Sequence, residues 1–405
     1  MRNVILITID TLRKDMLGCY GSRDGLTPFI DSIAEQSIVF TTAQAVGPYT
    51  QASFPGILTS SYYLDFEDHG KGKVLSTGRR LVSEHLKKNG IITAGFHSNP
   101  YLSAIFGWNR GWDVFYDSME AEVTDEVPYI KGNEINQHVE QWLKTTVSQR
   151  STTPFFLWVH YMDIHEPYVP AKEFLSRVDN SIVLNSSEMF ELFKKVILPR
   201  DVSNPATVSL LKKLYMAHVI EVDEYIKALF EIFESQNVLQ NSVIIITSDH
   251  GDEFGEHGGL SHDGKMFREL IDIPLIIKFP DTDQKVATCQ QLVSNIDIAP
   301  TIVYLFGISQ PEEFQGQSLL PLENYKERPC FGEAIGKRGR QKETDRPVFY
   351  CRADKLKIIY ESESNKWSLY NLEDDPLERH NIIEDCSETS EMKKKLEPRI
   401  KRVIK

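Results

Sequence analysis

Positive charge, cysteine and long apolar runs are all scarce in this chain of 405 residues. Its 45 Lys and Arg face 58 Asp and Glu, for a formal net charge of −13. That balance speaks against nucleic acid or an anionic membrane surface as a partner. The five cysteines, Cys19, Cys289, Cys330, Cys351 and Cys386, are odd in number and far apart, with no C-x-x-C spacing. Reduced thiols are expected rather than a disulfide frame. No apolar run approaches the ~18 residues of a membrane span, and no internal repeat or low-complexity segment stands out. Residues 1–10 pass straight into an apolar run without the basic start and small-residue cleavage site of a secretory leader, so a cytoplasmic protein is expected. The whole chain is 41% hydrophobic and 25% charged, as a globular protein is, and its length suggests two or three domains.

Two short β-branched runs organise that chain. Val243-Ile244-Ile245-Ile246 leads into Thr247-Ser248-Asp249-His250-Gly251-Asp252, and Val4-Ile5-Leu6-Ile7-Thr8-Ile9 leads into Asp10-Thr11. Both read as strands buried on two faces, as in parallel sheets. Ligands of open α/β sheets collect where such strands end. An Asp beside a His there offers a divalent cation one hard oxygen and one nitrogen. A turn residue would explain Asp10 or Asp249 alone. Two acids ending two buried strands about 240 residues apart point to a shared cation.

Other segments supply candidates around that centre. Gly47-Pro48 breaks the chain, and the run after Thr50 has helical apolar spacing through Phe54, Ile57 and Leu58. Thr50 therefore falls at or just before a helix N-terminus, where unpaired N–H groups stabilise an alkoxide or oxyanion; a plain N-cap role is compatible. Thr27-Pro28 opens a helix, and residues 37–42 form a strand. A helix over 75–88 and a strand over 91–96 follow, then His97-Ser98-Asn99, where Asn99 is either a turn residue or a donor to a bound ester oxygen. After a helix over 130–147, the strand Phe155-Phe156-Leu157-Trp158-Val159 delivers His160 to Tyr168. If that strand continues, Asp163 and His165 point the same way, as a second cation or a proton donor held by an acid would need. Residues 171–205 are polar and mixed, and are assigned as a helical insertion over the pocket ahead of a long helix over 206–235. The Gly-rich loop after the central strand brings His262 and Lys265, while His257 is expected to face solvent and Asp252 to matter little. The last ~85 residues read as short antiparallel strands at 348–351, 356–360 and 367–370 with a helix over 388–403. The basic loop from Gly336 to Lys342 is a solvated turn, or a recogniser of an anionic substrate if it folds toward the pocket.

The order strand-end Asp10, Gly18-Cys19-Tyr20-Gly21, Thr27-Pro28-Phe29-Ile30-Asp31, helix-start Thr50, Asp163-Ile164-His165-Glu166-Pro167-Tyr168 and Ser248-Asp249-His250-Gly251 resembles the sulfatases of the alkaline phosphatase superfamily. Ser98 to Leu102 with Arg110 to Asp113, Tyr215 through Asp223, and Leu369 to Leu372 with Asp375 to Glu378 extend the likeness over nearly the whole chain. The resemblance implies an α/β fold with a mixed, mostly parallel sheet covered by helices on both faces. It also implies a catalytic domain over residues 1–315 and an α+β subdomain with antiparallel strands over 316–405. One divalent cation would be held by Asp10, Thr50, Asp249 and His250, a second staying open, and the substrate would be a small anionic ester. Thr50 would be the nucleophile, with His165 and His262 acting on the leaving oxygen. Thr11, Asn99, Asp163 and Lys265 are the further substrate-contact candidates.

Two departures bear on the chemistry. Sulfatases proper carry C/S-x-P-x-R, which is read by the enzyme that makes formylglycine, whereas this chain has Thr50-Gln51-Ala52-Ser53-Phe54. An intact threonine is expected, as in superfamily branches that cleave or transfer phosphodiesters. Asp10-Thr11 replaces two adjacent acids, and His250 replaces an Asn, which moves the metal preference from Ca toward Mn or Zn, with Mg also open. The expectation is hydrolysis of a sulfate or phosphate ester, leaning to phosphate. The alternatives are a phosphodiesterase, phosphonate hydrolase or phosphotransferase and, from a different class, a non-catalytic cation-binding protein. Asp10, Thr50, Asp249 and His250 standing together argue against the last.

Overall fold

A computed structural model describes residues 2–70, 72–147, 153–283, 285–335 and 346–404; the basic loop from Gly336 to Lys342 lies outside them. Eight strands form the central sheet, in the order Ala287–Cys289, Ile38–Phe40, Leu275–Lys278, Ser242–Ser248, Asn3–Ile9, Phe155–Tyr161, Ile92–His97 and Val114–Tyr116. Only Leu275–Lys278 runs against its neighbours; the other pairings are parallel.

The apolar runs produce this sheet because both faces are covered. Alternate residues of one strand enter different cores, as period-two geometry requires. Val4 and Leu6, with Val243, Ile245 and Trp158, pack beneath the helices Thr50–Thr59 and Ile298–Leu305. Ile5, Ile7 and Ile9, with Ile244, Ile246 and Val159, pack beneath Pro28–Ala34, Gly132–Trp142 and Pro205–Ser235. Register sets the site. Ile9 pairs with Ser248 on one side and with Tyr161 on the other, so three strands end level and release Asp10, Asp249 and the 162–168 turn side by side.

The C-terminal strands Cys330–Ile335, Pro347–Ala353, Leu356–Glu361 and Lys366–Asn371 form an antiparallel sheet, against which Thr389–Val403 packs. Its apolar face, with Phe349, Ile358 and Leu369, belongs to the same core as Val4 and Ile245. Two buried ion pairs, Lys357–Glu378 at 2.5 Å and Arg399–Glu333 at 2.6 Å, reinforce this part. All five cysteines are free thiols, and no helix among the described residues is long and apolar enough to cross a membrane.

Some local expectations needed correction. The helix assigned to 75–88 is confined to Val82–Lys88, because Ser76 to Arg79 form a turn whose arginine is buried against Asp68, Ser61 and two backbone carbonyls. The helix over 130–147 runs regularly only through Gly132–Trp142. The insertion resolves into Lys172–Val178 and Ser186–Leu192, then the long helix capped by Asn204, which accepts from Ala206 and Thr207 N–H. The strand Cys330–Ile335 was not expected from the sequence.

Candidate active site

Four side chains meet where the central strands end. Thr50 is the first residue of its helix, and its side chain does not cap it; Tyr49 holds the N-cap position. The helix is pinned over the strand end by Ser53, whose hydroxyl donates to Asp249 O at 2.7 Å. Asn295 donates to the Ser53 Oγ at 2.8 Å and accepts from Val46 N–H at 3.1 Å. Thr50 Oγ1 thereby lies 3.4 Å from Asp10 Oδ2 and 3.5 Å from His250 Nε2.

Among the described residues, each surrounding ligand candidate has one atom tied to the protein and another left bare. Asp249 Oδ1 accepts from His250 N–H at 2.9 Å and Thr11 N–H at 3.3 Å, while Oδ2 has no partner. Asp10 Oδ2 accepts from Asn99 Nδ2 at 2.6 Å, while Oδ1 has none. His250 Nδ1 donates to Gly251 O at 3.0 Å, which leaves Nε2 as a lone-pair donor 3.4 Å from Asp249 Oδ2 and 3.7 Å from Asp10 Oδ1. There is no room for a side chain at residue 251, since a Cβ on Gly251 would sit 2.2 Å from Glu269 O.

This donor set fits a divalent cation. Two fully buried carboxylates face each other and, among the described residues, no lysine or arginine is bonded to either, an arrangement that needs a counter-charge. The bare atoms of Asp10, Asp249 and His250 lie within 4.8 Å of one another, and fixing the rear atom of each ligand is what second-sphere contacts do at metal centres. Burial raises the Asp10 pKa, but the neighbouring imidazoles, His160 above all, overcome this and hold it below the usual range. Asp249 goes the opposite way, raised by burial and by the Asp10 charge. Thr11 belongs to the same cluster. Its backbone is left-handed (φ 57°), its carbonyl accepts from Tyr215 OH at 2.8 Å, and its buried Oγ1 has no partner.

Beside these groups opens a cavity of about 410 Å³, lined by Thr50, His165 and His262 together with Tyr49, Tyr101, Phe190, Phe193 and Leu198 among others. The His165 and His262 rings are 5.0 Å apart, and His262 is 4.6 Å from His250. His165 Nδ1 donates to Glu166 O at 2.6 Å. His262 Nδ1 contacts Asp252 Oδ1 at 2.7 Å. Burial, then the charges of His250 and His165, push the His262 pKa well below its ordinary value.

Several expectations fail here. Asp163 does not join the site, because the strand stops at Tyr161 and the following turn aims the carboxylate at Gly132 N–H, 3.0 Å away. Lys265 is engaged elsewhere, with Glu253 at 2.8 Å and His257 O at 2.9 Å. His257 does not face solvent freely; it bonds Glu269 at 2.6 Å and stacks on Phe267. Asp252 is more important than expected, since it orients His262 and accepts from Tyr168 OH at 2.5 Å. Glu166 was also missed; it accepts from Ser261 Oγ and shares a cation-sized cluster with His165 and His262. A missed histidine, His160, stands 3.4 Å from Asp10. Its signal was available, as a lone titratable residue in a run that is otherwise aromatic and aliphatic.

An α/β sheet with a buried Asp-Asp-His cluster, a hydroxyl at a helix N-terminus and flanking histidines defines an ester hydrolase of alkaline-phosphatase-like architecture. The family model described as Sulfatase matches residues 2–308, and that of the N-sulphoglucosamine sulphohydrolase C-terminal region matches 255–405. The chain belongs to the sulfatase family. It is 22% identical to an N-acetylglucosamine-6-O-sulfatase of Bacteroides thetaiotaomicron, over 94% of this chain and 82% of that one. A solved protein in complex with its substrate D-glucosamine-2-N,6-O-disulfate has the same fold, with TM-score 0.80 and 20% identity over 99% of this chain and 98% of that one. So does the phosphonate monoester hydrolase of Agrobacterium radiobacter, with TM-score 0.77 and 18% identity over 99% and 95%.

Proposed function

We propose that this sulfatase-family hydrolase is divalent-cation-dependent, uses Thr50 as its nucleophile, and cleaves a phosphate or phosphonate ester better than the matching sulfate ester. The observation that carries this reading is Thr50 itself. It is a hydroxyl at the start of a helix, 3.4 Å from Asp10 and 3.5 Å from His250, in a segment without the Cys or Ser, the Pro and the Arg that formylglycine formation requires. Asp10, Asp249, His250 and Thr50 would hold the cation, which on binding would neutralise ester charge and lower the pKa of the Thr50 hydroxyl; Mn or Zn suits the histidine nitrogen best.

The chain's own groups do the rest. Thr50, its hydroxyl proton released to solvent, attacks phosphorus through Oγ1; the bond to the leaving oxygen breaks, and that oxygen takes a proton from His165. His262, its Nδ1 side turned to Asp252, offers Nε2 to the same cavity as a hydrogen-bonding partner. Water then enters where the alcohol left, attacks phosphorus and gives one proton to His165; the bond from Thr50 Oγ1 to phosphorus breaks, phosphate leaves, and the Thr50 oxygen takes back a proton from solvent. A threonyl phosphate can be reopened in this way. A threonyl sulfate lacks the collapse that an aldehyde hydrate offers, and this favours phosphorus.

A two-cation version, closer to a phosphodiesterase or phosphotransferase, has one observation behind it: ligand atoms of His165, Glu166 and His262 lie within 4.8 Å of one another. The deciding assay compares one cation-loaded sample on an aryl phosphate, an aryl phosphonate, an aryl phosphodiester and an aryl sulfate, with the metal content measured alongside. The expected result is a higher kcat/KM on a phosphorus ester, its loss by about 10³-fold or more in Thr50→Ala, and an unmodified Thr50 by peptide mass. A sulfate preference, or an active Thr50→Ala variant, would refute the reading.

A further inference from the structure

One fully buried imidazole beside the cation ligands is left without a role. His160 stands one residue before the end of the strand Phe155–Tyr161, with none of its surface exposed. Its Nε2 faces Asp10 Oδ2 at 3.4 Å and, among the described residues, has no hydrogen-bond partner of ordinary geometry. Its Nδ1 lies 2.9 Å from Thr8 Oγ1. Thr8 and His160 are register partners on adjacent parallel strands, so the sheet itself brings them together.

The hydrogen bonds of Thr8 favour one tautomer of the ring. The Trp158 indole N–H can only donate, and it donates to Thr8 Oγ1 at 2.9 Å. The single hydroxyl proton of Thr8 then has two acceptors in reach, Val159 O at 3.5 Å and His160 Nδ1 at 2.9 Å. The shorter contact is the one with good hydrogen-bond length. If Thr8 gives its proton to that shorter contact, His160 Nδ1 is the acceptor and the ring proton of the neutral imidazole sits on Nε2, toward Asp10. Asn99 Nδ2 donates to the same Asp10 oxygen at 2.6 Å. The other oxygen, Oδ1, remains bare, 3.7 Å from His250 Nε2.

We propose that His160 is a positioning residue for Asp10: the Trp158–Thr8–His160 chain turns its Nε2–H toward Oδ2, and the electrostatic attraction across that 3.4 Å contact, added to the Asn99 hydrogen bond, keeps Oδ2 to the rear so that Oδ1 is the oxygen offered to the cation. The proposal rests on the reading of Asp10 as a cation ligand. A carboxylate free to rotate exchanges one-oxygen for two-oxygen binding, and anchoring its rear oxygen removes that freedom. Partners of this kind are worth roughly 10–100-fold in metal affinity.

The test needs no turnover. Zinc affinity is measured by chelator competition on metal-stripped protein, and imidazole nitrogen resonances are read on the same protein carrying ¹⁵N-histidine. The wild type is expected to show His160 protonated on Nε2, with and without zinc. His160→Phe keeps a ring against Phe54 and Trp158, which His160 now contacts at centroid distances of 5.1 and 6.0 Å. It should weaken zinc binding about 10–100-fold, and His160→Gln, which restores an N–H donor, should recover most of this. Thr8→Val should populate the Nδ1–H tautomer and weaken zinc binding by a smaller factor. Wild-type affinity in His160→Phe would overturn the proposal. So would an Nδ1–H tautomer in the wild type whose Nε2 resonance moves on adding zinc, the signature of a direct ligand. A wild type that binds no divalent cation would refute the cation site itself, and this proposal with it.

Discussion

The strand-end cluster and the cavity mouth sit side by side but are built differently. Asp249 and His250 are fixed by hydrogen bonds to main-chain groups just beyond the strand ends, and Asp10 and Thr50 are held by side chains rooted on neighbouring elements. Displacing any of them means disturbing the sheet. The mouth is assembled from loops and the insertion. His262 depends on a side chain, Asp252, and Phe190 and Phe193 stack on each other at 5.8 Å from one short helix and its irregular extension. On the proposed reading, chemistry is tied to the scaffold, while selectivity sits on segments that can change without altering the sheet.

That contrast predicts a gradient of effects. Asp249→Ala removes a carboxylate of the proposed cation site and should abolish both metal retention and turnover, whatever the substrate. Equal metal in wild type and Asp249→Ala would erase the distinction between the two regions. One step outward, His262→Ala and Asp252→Asn should share a phenotype, since the second removes the carboxylate that orients the first. Losses on the order of 10²-fold are expected with poor leaving groups and much smaller ones with activated aryl esters, while the metal content holds. If either variant loses metal, the mouth carries a second cation built from His165, Glu166 and His262. Further out, Phe190→Ala should change KM by a few-fold and kcat little, through lost contact with the alcohol portion of the ester; an equal fall in kcat would put the insertion inside the chemistry.

The sequence was most legible where one element decides a residue's position. Val4 to Ile9 and Val243 to Ile246 had to be buried strands, and Asp10 and Asp249 had to stand at their ends. The Thr50 helix start followed from Gly47-Pro48 and the spacing behind it. Legibility ended where position depends on partners distant in sequence. Whether Asp163 turns toward the cavity depends on where the strand stops, and the alternation visible through Tyr161 does not announce that end. The link from Asp252 to His262 crosses the Gly-rich loop, with left-handed backbone at Gly255, Gly258 and Ser261, and no periodicity encodes such a path. The insertion reads poorly because its helices are short and bury little of themselves: Val183 is 82% exposed, and Met189 is the only buried residue within Ser186–Leu192.

Asp163 gives the smallest and most separable effect, because it concerns stability alone. Burial, and then the nearby Glu221 carboxylate, push its pKa up to about 7, against roughly 3.9 in an unfolded chain. A raised carboxyl pKa means that the folded state holds this proton more tightly than the unfolded state. Below about pH 4 both states are protonated and the group is neutral in its effect. As pH climbs from about 4 to 7 the unfolded chain ionises first, and the fold loses stability progressively; above about 7 the loss is complete and constant. Each tenfold difference in proton affinity between the two states corresponds to about 1.4 kcal/mol, so the loss is at most about 4 kcal/mol. Asp163→Asn keeps an oxygen acceptor for Gly132 N–H and abolishes the titration. Its Tm advantage over the wild type should therefore be near zero around pH 4, widen through pH 7 to on the order of a few degrees, and stay flat beyond. A constant Tm offset across that range would show that Asp163 is ionised in the fold throughout, held by a partner within the Glu221 cluster, and would reopen its place at the edge of the cavity.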